Sequence, residues 1–310
     1  LDLRFPTGTF PAAASEGPTE GVWAAPWALF TLLFSFFWFL VWLLFGRDAR
    51  SSKALPVSCE PPHSFKPYEA NALFFNGATH RLAAATLFDL ARRGLLRLRF
   101  GTGANAVGLT EIVSGQEFAL DHVERCVWHA SQEDALSSGG ALRQARLLAD
   151  HGLEERGWHR WNVPLVRGLA IVCVLVSWSI CFLVLFVFFA DRLLFLSVIG
   201  LVIALAFAYQ MPKRTVAGTR AWERLAGFRQ GVRRAGQSQA LYERTGIPLA
   251  ERFLAGLPFA IALGVEAEWG RLFAGLIVLP QEHGFGSEML SAPKIAQMAQ
   301  ALSEQTRHWD

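Results

Sequence analysis

The sequence contains 310 residues, of which 52% are hydrophobic and only 18% are charged, and its formal net charge is +3. Soluble chains carry roughly 25% charged residues, and here the apolar residues are concentrated in three long blocks. This pattern excludes a purely soluble globular protein, a disordered chain and a disulfide-rich secreted domain. It predicts an integral membrane protein that is mainly α-helical.

Residues 1–20 are acidic and combine a strand-like stretch with a linker of small residues. We expect this segment to be the end of an extracytoplasmic region and its linker. A larger external domain that precedes it and a short external tail are both compatible with the sequence.

Residues 21–46, 164–190 and 193–212 are predicted to form three transmembrane helices, a single span followed by a helical hairpin. A bilayer core of about 30 Å requires about 20 helical residues, and each block reaches that length. The interiors of the blocks contain no Asp, Glu, Lys, Arg or His, whereas ion and proton pathways usually need such side chains. The sequence therefore argues against a coupled transporter or pump.

Basic residues flank the predicted spans on one side of the membrane. They are Arg47, Arg50, Lys53, Arg156, Arg160, Arg167, Lys213, Arg214 and Arg220. Because Lys and Arg near span ends mark the cytoplasmic side, residues 47–163 and 213–310 are predicted to lie inside a bacterial plasma membrane and the N-terminus outside. The lipid bilayer is thus the first partner. Since the hairpin returns the chain to one side, both inner segments should pack as one body.

Within residues 47–163, the sequence predicts a helix over 67–75 and a second over 80–93 that ends at Gly94. Alternating apolar and basic residues then predict a strand over 96–100 and a return strand over 106–112. The order helix, helix and hairpin predicts a winged-helix-like α+β module. Residues 213–310 are predicted to form a helical C-terminal region. Residues 249–276 are expected to form two helices, the second beginning at Pro258.

Nucleic-acid binding by the winged-helix-like module would rely on four arginines, namely Arg92, Arg93, Arg97 and Arg99. Asp89 lies one helical turn before Arg92 and Arg93 and offsets their positive charge. Residues 47–167 contain fifteen basic and thirteen acidic residues, which is not a strongly basic balance. The pattern favours a packing or protein-contact module over a nucleic-acid partner.

The stretch that follows the third predicted span combines apolar and basic residues at helical spacing. Its side chains are Arg220, Trp222, Arg224, Phe228, Arg229, Arg233 and Arg234. One interpretation is an amphipathic helix that lies on the anionic inner membrane surface. The other is an ordinary cytoplasmic helix that is basic because of the positive-inside bias.

His122, Cys126 and His129 have the spacing i, i+4, i+7 and share one helix face. With Cys59 or His63 they would supply four zinc ligands, but the paired Cys-x-x-Cys spacing of strong zinc motifs is absent. The sequence contains no phosphate loop, nucleophile elbow or zinc-protease motif. We therefore expect no metal, cofactor, catalytic residue or small-molecule substrate.

Several strings resemble the YciQ-like predicted membrane proteins, domain of unknown function 2207. They are Gly46–Asp48, Pro61–Pro62, Lys66–Ala70, Ala85–Gly94 and Gly227–Arg229, together with a C-terminal signature of Leu257, Pro258, Phe259, Ala260, Ile261, Ala262, Leu263, Gly264 and Trp269. The resemblance covers nearly all of residues 1–285, and the family pattern has Tyr at the Phe259 position. It implies a signal peptide and a β-rich external domain before residue 1, and no established activity.

We interpret the chain as a non-enzymatic scaffold or signal-relay protein that contacts a protein partner or a second copy of itself. One alternative is a membrane-tethered DNA-binding regulator that uses the winged-helix-like module. A second alternative is a metal-dependent membrane-associated enzyme that uses His122, Cys126 and His129.

Overall fold

The computed structural model describes residues 20–46, 57–62, 64–100, 107–108, 119–132, 135–159, 163–188, 194–210, 214–235, 249–278 and 290–309. Their helices are α1 (Glu20–Val41, continued by a π-helical turn over Trp42–Gly46), α2 (Pro67–Phe75), α3 (Arg81–Arg92), α4 (His122–Gln132), α5 (Ala135–Glu155), α6 (Val163–Phe188), α7 (Leu194–Tyr209), α8 (Val216–Ala235), α9 (Leu249–Leu263), α10 (Glu266–Leu272) and α11 (Ala292–Gln305), with a final 3₁₀ turn over Thr306–Trp309.

Strand pairing in this part of the chain is limited to two short antiparallel pairs. In the first, β1 (Arg99–Phe100) pairs with β2 (Val107–Gly108), with Arg99 opposite Gly108. In the second, β3 (Ile277–Val278) pairs with β4 (Leu290–Ser291). Each strand has two residues, so the core is built from helices.

The chain divides into two compact units. The first contains α1, most of α6 and α7, and its small core includes Phe34, Trp38 and Val174. α1 and α7 approach closely because Gly200 has no side chain, and a Cβ at this position would lie 3.3 Å from the Thr31 methyl group. Most of the large apolar side chains that remain exposed in the whole structure belong to these three helices.

Two helices in the described part of the chain are long and apolar enough to cross a membrane, over Ala28–Gly46 and Leu165–Leu183. Only 11% of each stretch is buried, which is unlike the core helix of a soluble protein. The prediction of three membrane-spanning helices is wrong. α7 has 16 residues, which at about 1.5 Å per residue cover about 24 Å of a bilayer core of about 30 Å.

The second unit comprises Asp48–Val166 and Pro212–Asp310. Its core includes Phe88 from the first segment and Phe228, Phe253 and Trp269 from the second. The prediction that these two parts of the chain pack as one body is therefore confirmed. Helix α3 lies inside this body, where it packs against α2, α4, α9 and α11.

Helices α2 and α3 form where local patterns predict them. Pro67 begins α2 with its fixed backbone angle, and Glu69 accepts a hydrogen bond from the Lys66 backbone N–H at 2.9 Å. Gly94 follows α3 with a positive φ of 73°, as expected for a left-handed cap.

The predicted winged-helix-like α+β module is nevertheless wrong. All ten residues of α3 from Leu82 to Ala91 are buried, so no open face is left for recognition. Leu96 and Leu98 are buried in the same helical core, and the strand pairing described after them extends over two residues of each strand.

The prediction that a second helix begins at Pro258 is also wrong. α9 continues through Pro258 to Leu263, and Gly264 ends it with a φ of 68° before α10 begins at Glu266. The short α10 then directs Trp269 back against α9.

Candidate functional site: helix α8 and the segments that cross it

Helix α8 is contacted by the chain segment that follows α1. The backbone N–H of Ser58 donates a hydrogen bond to the carbonyl oxygen of Gly227 at 3.4 Å. One turn later, a Cβ on Gly231 would overlap the Ser58 carbonyl group and lie 3.2 Å from the Cys59 sulfur. Because neither position has a side chain, residues 57–60 lie directly on the α8 backbone.

A second segment, which precedes α6, contacts the first turn of α8. His159 and Arg214 form an antiparallel bridge, and the Thr215 N–H donates to the Trp158 carbonyl oxygen at 3.0 Å. The Thr215 hydroxyl donates to the Gly157 carbonyl oxygen at 2.6 Å. Gly218 packs so closely against the Trp158 carbonyl group that a Cβ has no room.

We call residues 57–60 and 157–159 the crossing segments. The first follows α1 in the sequence, the second precedes α6, and α8 itself follows α7. Both crossing segments and α8 belong to the second unit.

The inner face of α8 packs into the core of the second unit. The Phe228 ring lies 5.6 Å from the Trp269 ring, and Trp222 stacks on Phe74 with their centroids 6.0 Å apart. Phe228 is thus buried in the protein, whereas Trp222 is half-buried. An amphipathic pattern is the same for a helix on a membrane and for a helix on a protein core, which is why both interpretations remained open.

The C-terminal signature, Leu257–Gly264 with Trp269, forms the centre of this core. The Trp269 indole is fully buried and donates to the Phe253 carbonyl oxygen at 3.0 Å. It fills the space above Gly256, where a Cβ would overlap its six-membered ring. These residues act as a packing centre.

Asn71 connects this signature to α2. Its side-chain amide donates to the Ala262 carbonyl oxygen and to the Thr79 hydroxyl, both at 2.8 Å, and its oxygen accepts from the Thr79 N–H at 2.8 Å. Asn71 is fully buried, so these bonds satisfy a polar group that water cannot reach. Nearby, Arg81 forms an ion pair with the buried Glu266 at 2.7 Å.

A group of ion pairs links α2, α3 and α4. Lys66 contacts Asp121 at 2.6 Å and Glu124 at 3.4 Å, and Arg93 contacts Glu124 at 2.5 Å and Asp89 at 3.1 Å. Asp121 begins α4 as a cap, because its Oδ1 accepts from the Glu124 N–H at 2.7 Å while Glu124 accepts from the Asp121 N–H at 3.0 Å.

These contacts shift several pKa values. Burial alone would raise the pKa of Asp121, but hydrogen bonds from the Glu124 N–H, Lys66 and Tyr68 outweigh it and lower that pKa. Burial raises the pKa of Glu69, against the Lys66 N–H and the charge of Arg156. Burial and the Asp121 carboxylate raise the pKa of Tyr68. The carboxylates of this group are paired with cations, which is typical of a structural network rather than an acid–base centre.

The arginines considered for nucleic-acid binding lie in this network. Arg92 contacts Asp89 at 2.8 Å and Arg93 contacts Glu124, while Arg97 is exposed. The side-chain environment of Arg99 lies outside the description. Two of the four arginines are therefore neutralised within the protein.

The zinc candidates lie on α4, with His122 and His129 exposed and Cys126 half-buried. His63 lies outside the described residues. Within the described ranges, no group of three or more His, Cys, Asp and Glu side chains is arranged to hold a metal ion. Burial raises the pKa of the Cys126 thiol, which disfavours the thiolate that zinc requires.

Comparison with known families agrees with these motifs. Residues 56–273 match the family described as the C-terminal domain of the predicted membrane protein DUF2207. The chain belongs to this family. The match includes α8, both crossing segments and the Leu257–Gly264 signature, and it confirms the resemblance seen in the sequence. The family description gives a membrane protein without a molecular activity. No curated protein and no solved structure matches the chain.

Sequence reasoning missed the glycines that permit close packing on α8 and on α9. Gly218, Gly231 and Gly256 lie inside helices, where glycine costs roughly 0.5–1 kcal/mol relative to alanine. A glycine inside a helical pattern was the available signal for close backbone approach. The partner of each glycine is remote in the sequence or in another helix, so only the tertiary structure identifies it.

Proposed function

We propose that this protein is a non-enzymatic, membrane-anchored scaffold or relay in which α8 couples the membrane helices to the helical body. The observation that carries this proposal is the convergence of both crossing segments on α8, at Gly231 and at Gly218. Family membership supports the membrane location. The partner is expected to be another protein or a second copy of this chain.

The contacts suit mechanical coupling because they join backbone to backbone. Side-chain contacts absorb small displacements by changing rotamers, whereas a segment that touches a glycine backbone moves that backbone directly. The opposite face of α8 contacts Trp269 through Phe228. A displacement of α8 is thus expected to reach the Leu257–Gly264 signature.

The proposed orientation places the second unit in the cytoplasm and residues 1–20 outside. It is supported by the arginines and lysines that follow α1 and flank the α6–α7 pair. Asp48–Val166 and Pro212–Asp310 share one core, which supports placing both segments on the same side of the membrane. Labelling an exposed Gln300→Cys variant with a membrane-impermeant maleimide tests this orientation. Protection in intact cells is expected, and labelling would contradict it.

The relay is tested through the thiol of Cys59, which belongs to the first crossing segment and lies close to Gly231 of α8. The chain is prepared with Cys126, Cys173 and Cys181 replaced by serine and is reconstituted in bilayers of short-chain or long-chain phosphatidylcholine. Bilayer thickness acts on the membrane helices through hydrophobic mismatch. The rate of Cys59 labelling by a maleimide is expected to differ between the two bilayers.

Two controls make this test specific. A variant that keeps Cys126 on α4 in place of Cys59 should label at the same rate in both bilayers. Gly231→Ala should raise the Cys59 rate in either bilayer, because its methyl group displaces residues 57–60, whereas Gly152→Ala, whose Cβ has open space, should not. Equal responses of Cys59 and Cys126, or no response of either, would contradict coupling through α8.

A further inference from the structure

Arg229 on α8 carries a guanidinium group that the protein leaves without an ionic partner among the described residues. Its Cζ lies 5.0 Å from the centre of the Phe74 ring, which holds the side chain in place. Its Nε–H is buried and donates no hydrogen bond to the described residues. Of the ion pairs in this part of the chain, none includes Arg229.

The aromatic support of Arg229 extends over two rings. Phe74 stacks on Trp222 with an interplanar angle of 14°, and the Arg214 guanidinium lies 5.2 Å from the Trp222 ring. Arg214 also donates to the Leu73 carbonyl oxygen at 3.1 Å, so its position is determined by the backbone of α2. The Phe74 ring, which is itself stacked on Trp222, therefore holds the Arg229 guanidinium in a defined position.

Other positive groups lie close to Arg229. Arg233 follows one helical turn later and is exposed, and Arg81 forms an ion pair with Glu266 at the start of α10, a helix that packs against α8. Burial first, and then the charges of Arg233 and Arg81, lower the pKa of Arg229, and Glu268 opposes them. Glu268 itself lies 3.9 Å from Arg271.

Arg229 and Arg233 lie four residues apart on α8, and two positive charges at this spacing destabilise a helix when no anion balances them. The carboxylate closest to Arg81 is Glu266, which forms an ion pair with it at 2.7 Å and is buried. The guanidinium groups of Arg229 and Arg233 keep free donors, and a fork of such donors matches the oxygens of a phosphate group.

We propose that Arg229 and Arg233, together with Arg81, form a binding site for a phosphate group. The group belongs either to a free phosphate compound or to the headgroup of an anionic phospholipid. Arg229 supplies a guanidinium group held over the Phe74 ring, Arg233 an exposed positive charge one helical turn later, and Arg81 a third positive group. The site lies on α8 but does not include the crossing segments.

The test measures binding to the purified full chain in a neutral detergent, at constant ionic strength. Inorganic phosphate is one probe, with chloride as the reference anion. Dihexanoylphosphatidylglycerol is the other, with dihexanoylphosphatidylcholine as its reference. Charge-assisted hydrogen bonds contribute enough that Arg229→Gln is expected to raise the Kd about 10- to 100-fold.

Matched variants separate this site from general electrostatics. Arg220→Gln removes the same charge from an exposed position on the same helix and is expected to leave the Kd unchanged. Arg229→Lys keeps the charge but loses the fork, so it should also weaken binding. If Arg229→Gln does not fold, Arg233→Gln provides the same comparison from an exposed position.

The outcomes are distinct. Arg229-dependent binding of inorganic phosphate supports the site with a soluble ligand, and Arg229-dependent binding of phosphatidylglycerol alone supports it with a lipid headgroup. Binding of neither probe, or equal weakening by Arg220→Gln and Arg229→Gln, would overturn the proposal. A normal Cys59 response in the Arg229→Gln variant would show that the relay and the phosphate site are separate.

Discussion

Replacement of Gly256 by alanine tests the packing of the family signature most directly. Gly256 lies inside α9, and a Cβ at this position would overlap the six-membered ring of Trp269. That ring is fully buried and its indole N–H is bonded to the Phe253 carbonyl oxygen, so it cannot move without losing a buried hydrogen bond. We therefore expect Gly256→Ala to destabilise the protein.

The magnitude follows from comparison with Gly152→Ala. Both glycines lie within helices, so both variants gain the same helix-propensity term of about 0.5–1 kcal/mol. The Cβ added at Gly152 meets nothing within 4 Å. The difference between the two variants is therefore the overpacking cost alone, about 1–3 kcal/mol. For a body of roughly 200 residues this corresponds to about 2–12 °C in Tm.

The assay is thermal unfolding of the purified chain in detergent, followed by far-UV circular dichroism. Gly152→Ala is expected to unfold at or above the wild-type temperature and Gly256→Ala clearly below it. The double variant Gly256→Ala/Trp269→Leu should show a smaller effect of the added methyl group, because the ring that it meets has been removed. Equal unfolding temperatures for the two single variants would refute the argument.

Two further predictions concern buried polar groups. Asn71→Ala should lower the free energy of unfolding by about 2–4 kcal/mol, because the Thr79 N–H and the Ala262 carbonyl group lose their buried partners; urea denaturation measures this, and a loss below 0.5 kcal/mol would contradict it. Asp121 has a lowered pKa, so its carboxylate stabilises the fold above its ordinary value of 3.8 and this contribution disappears as the pH falls through the lowered value. Asp121→Asn, which retains a capping oxygen, should therefore be less stable than wild type at neutral pH, with a difference that shrinks below pH of about 4; a difference independent of pH would argue against the charge.

Local sequence signals predicted several elements correctly. α2 spans the residues expected from Pro67 and the following apolar run, and Gly94 takes the left-handed conformation of a helix cap. These features depend on interactions within one or two helical turns. The predicted hairpin is present as the pairing of β1 with β2, but the step from it to a winged-helix-like module was wrong, because Leu96 and Leu98 are buried in a core of helices.

The arginines of the predicted nucleic-acid surface show why the site was harder to predict. Asp89, near Arg92 and Arg93 in sequence, was recognised as a partner, but Glu124 lies 31 residues from Arg93. Similarly, the apolar residues of α8 suited a lipid surface as well as a core. Only the position of Trp269 shows that Phe228 is used inside the protein.

The sequence by itself determined membrane association, family membership and the positions of most helices, because segment length, apolar composition and cap residues act locally. The tertiary structure decided which helix faces are buried, and of the three predicted spans it describes two, over Ala28–Gly46 and Leu165–Leu183, as helices long enough to cross a membrane. It alone brought Ser58 to Gly231, Trp158 to Gly218 and Trp269 to Gly256. A glycine permits close approach but does not specify the segment that approaches, since that depends on how the whole core packs.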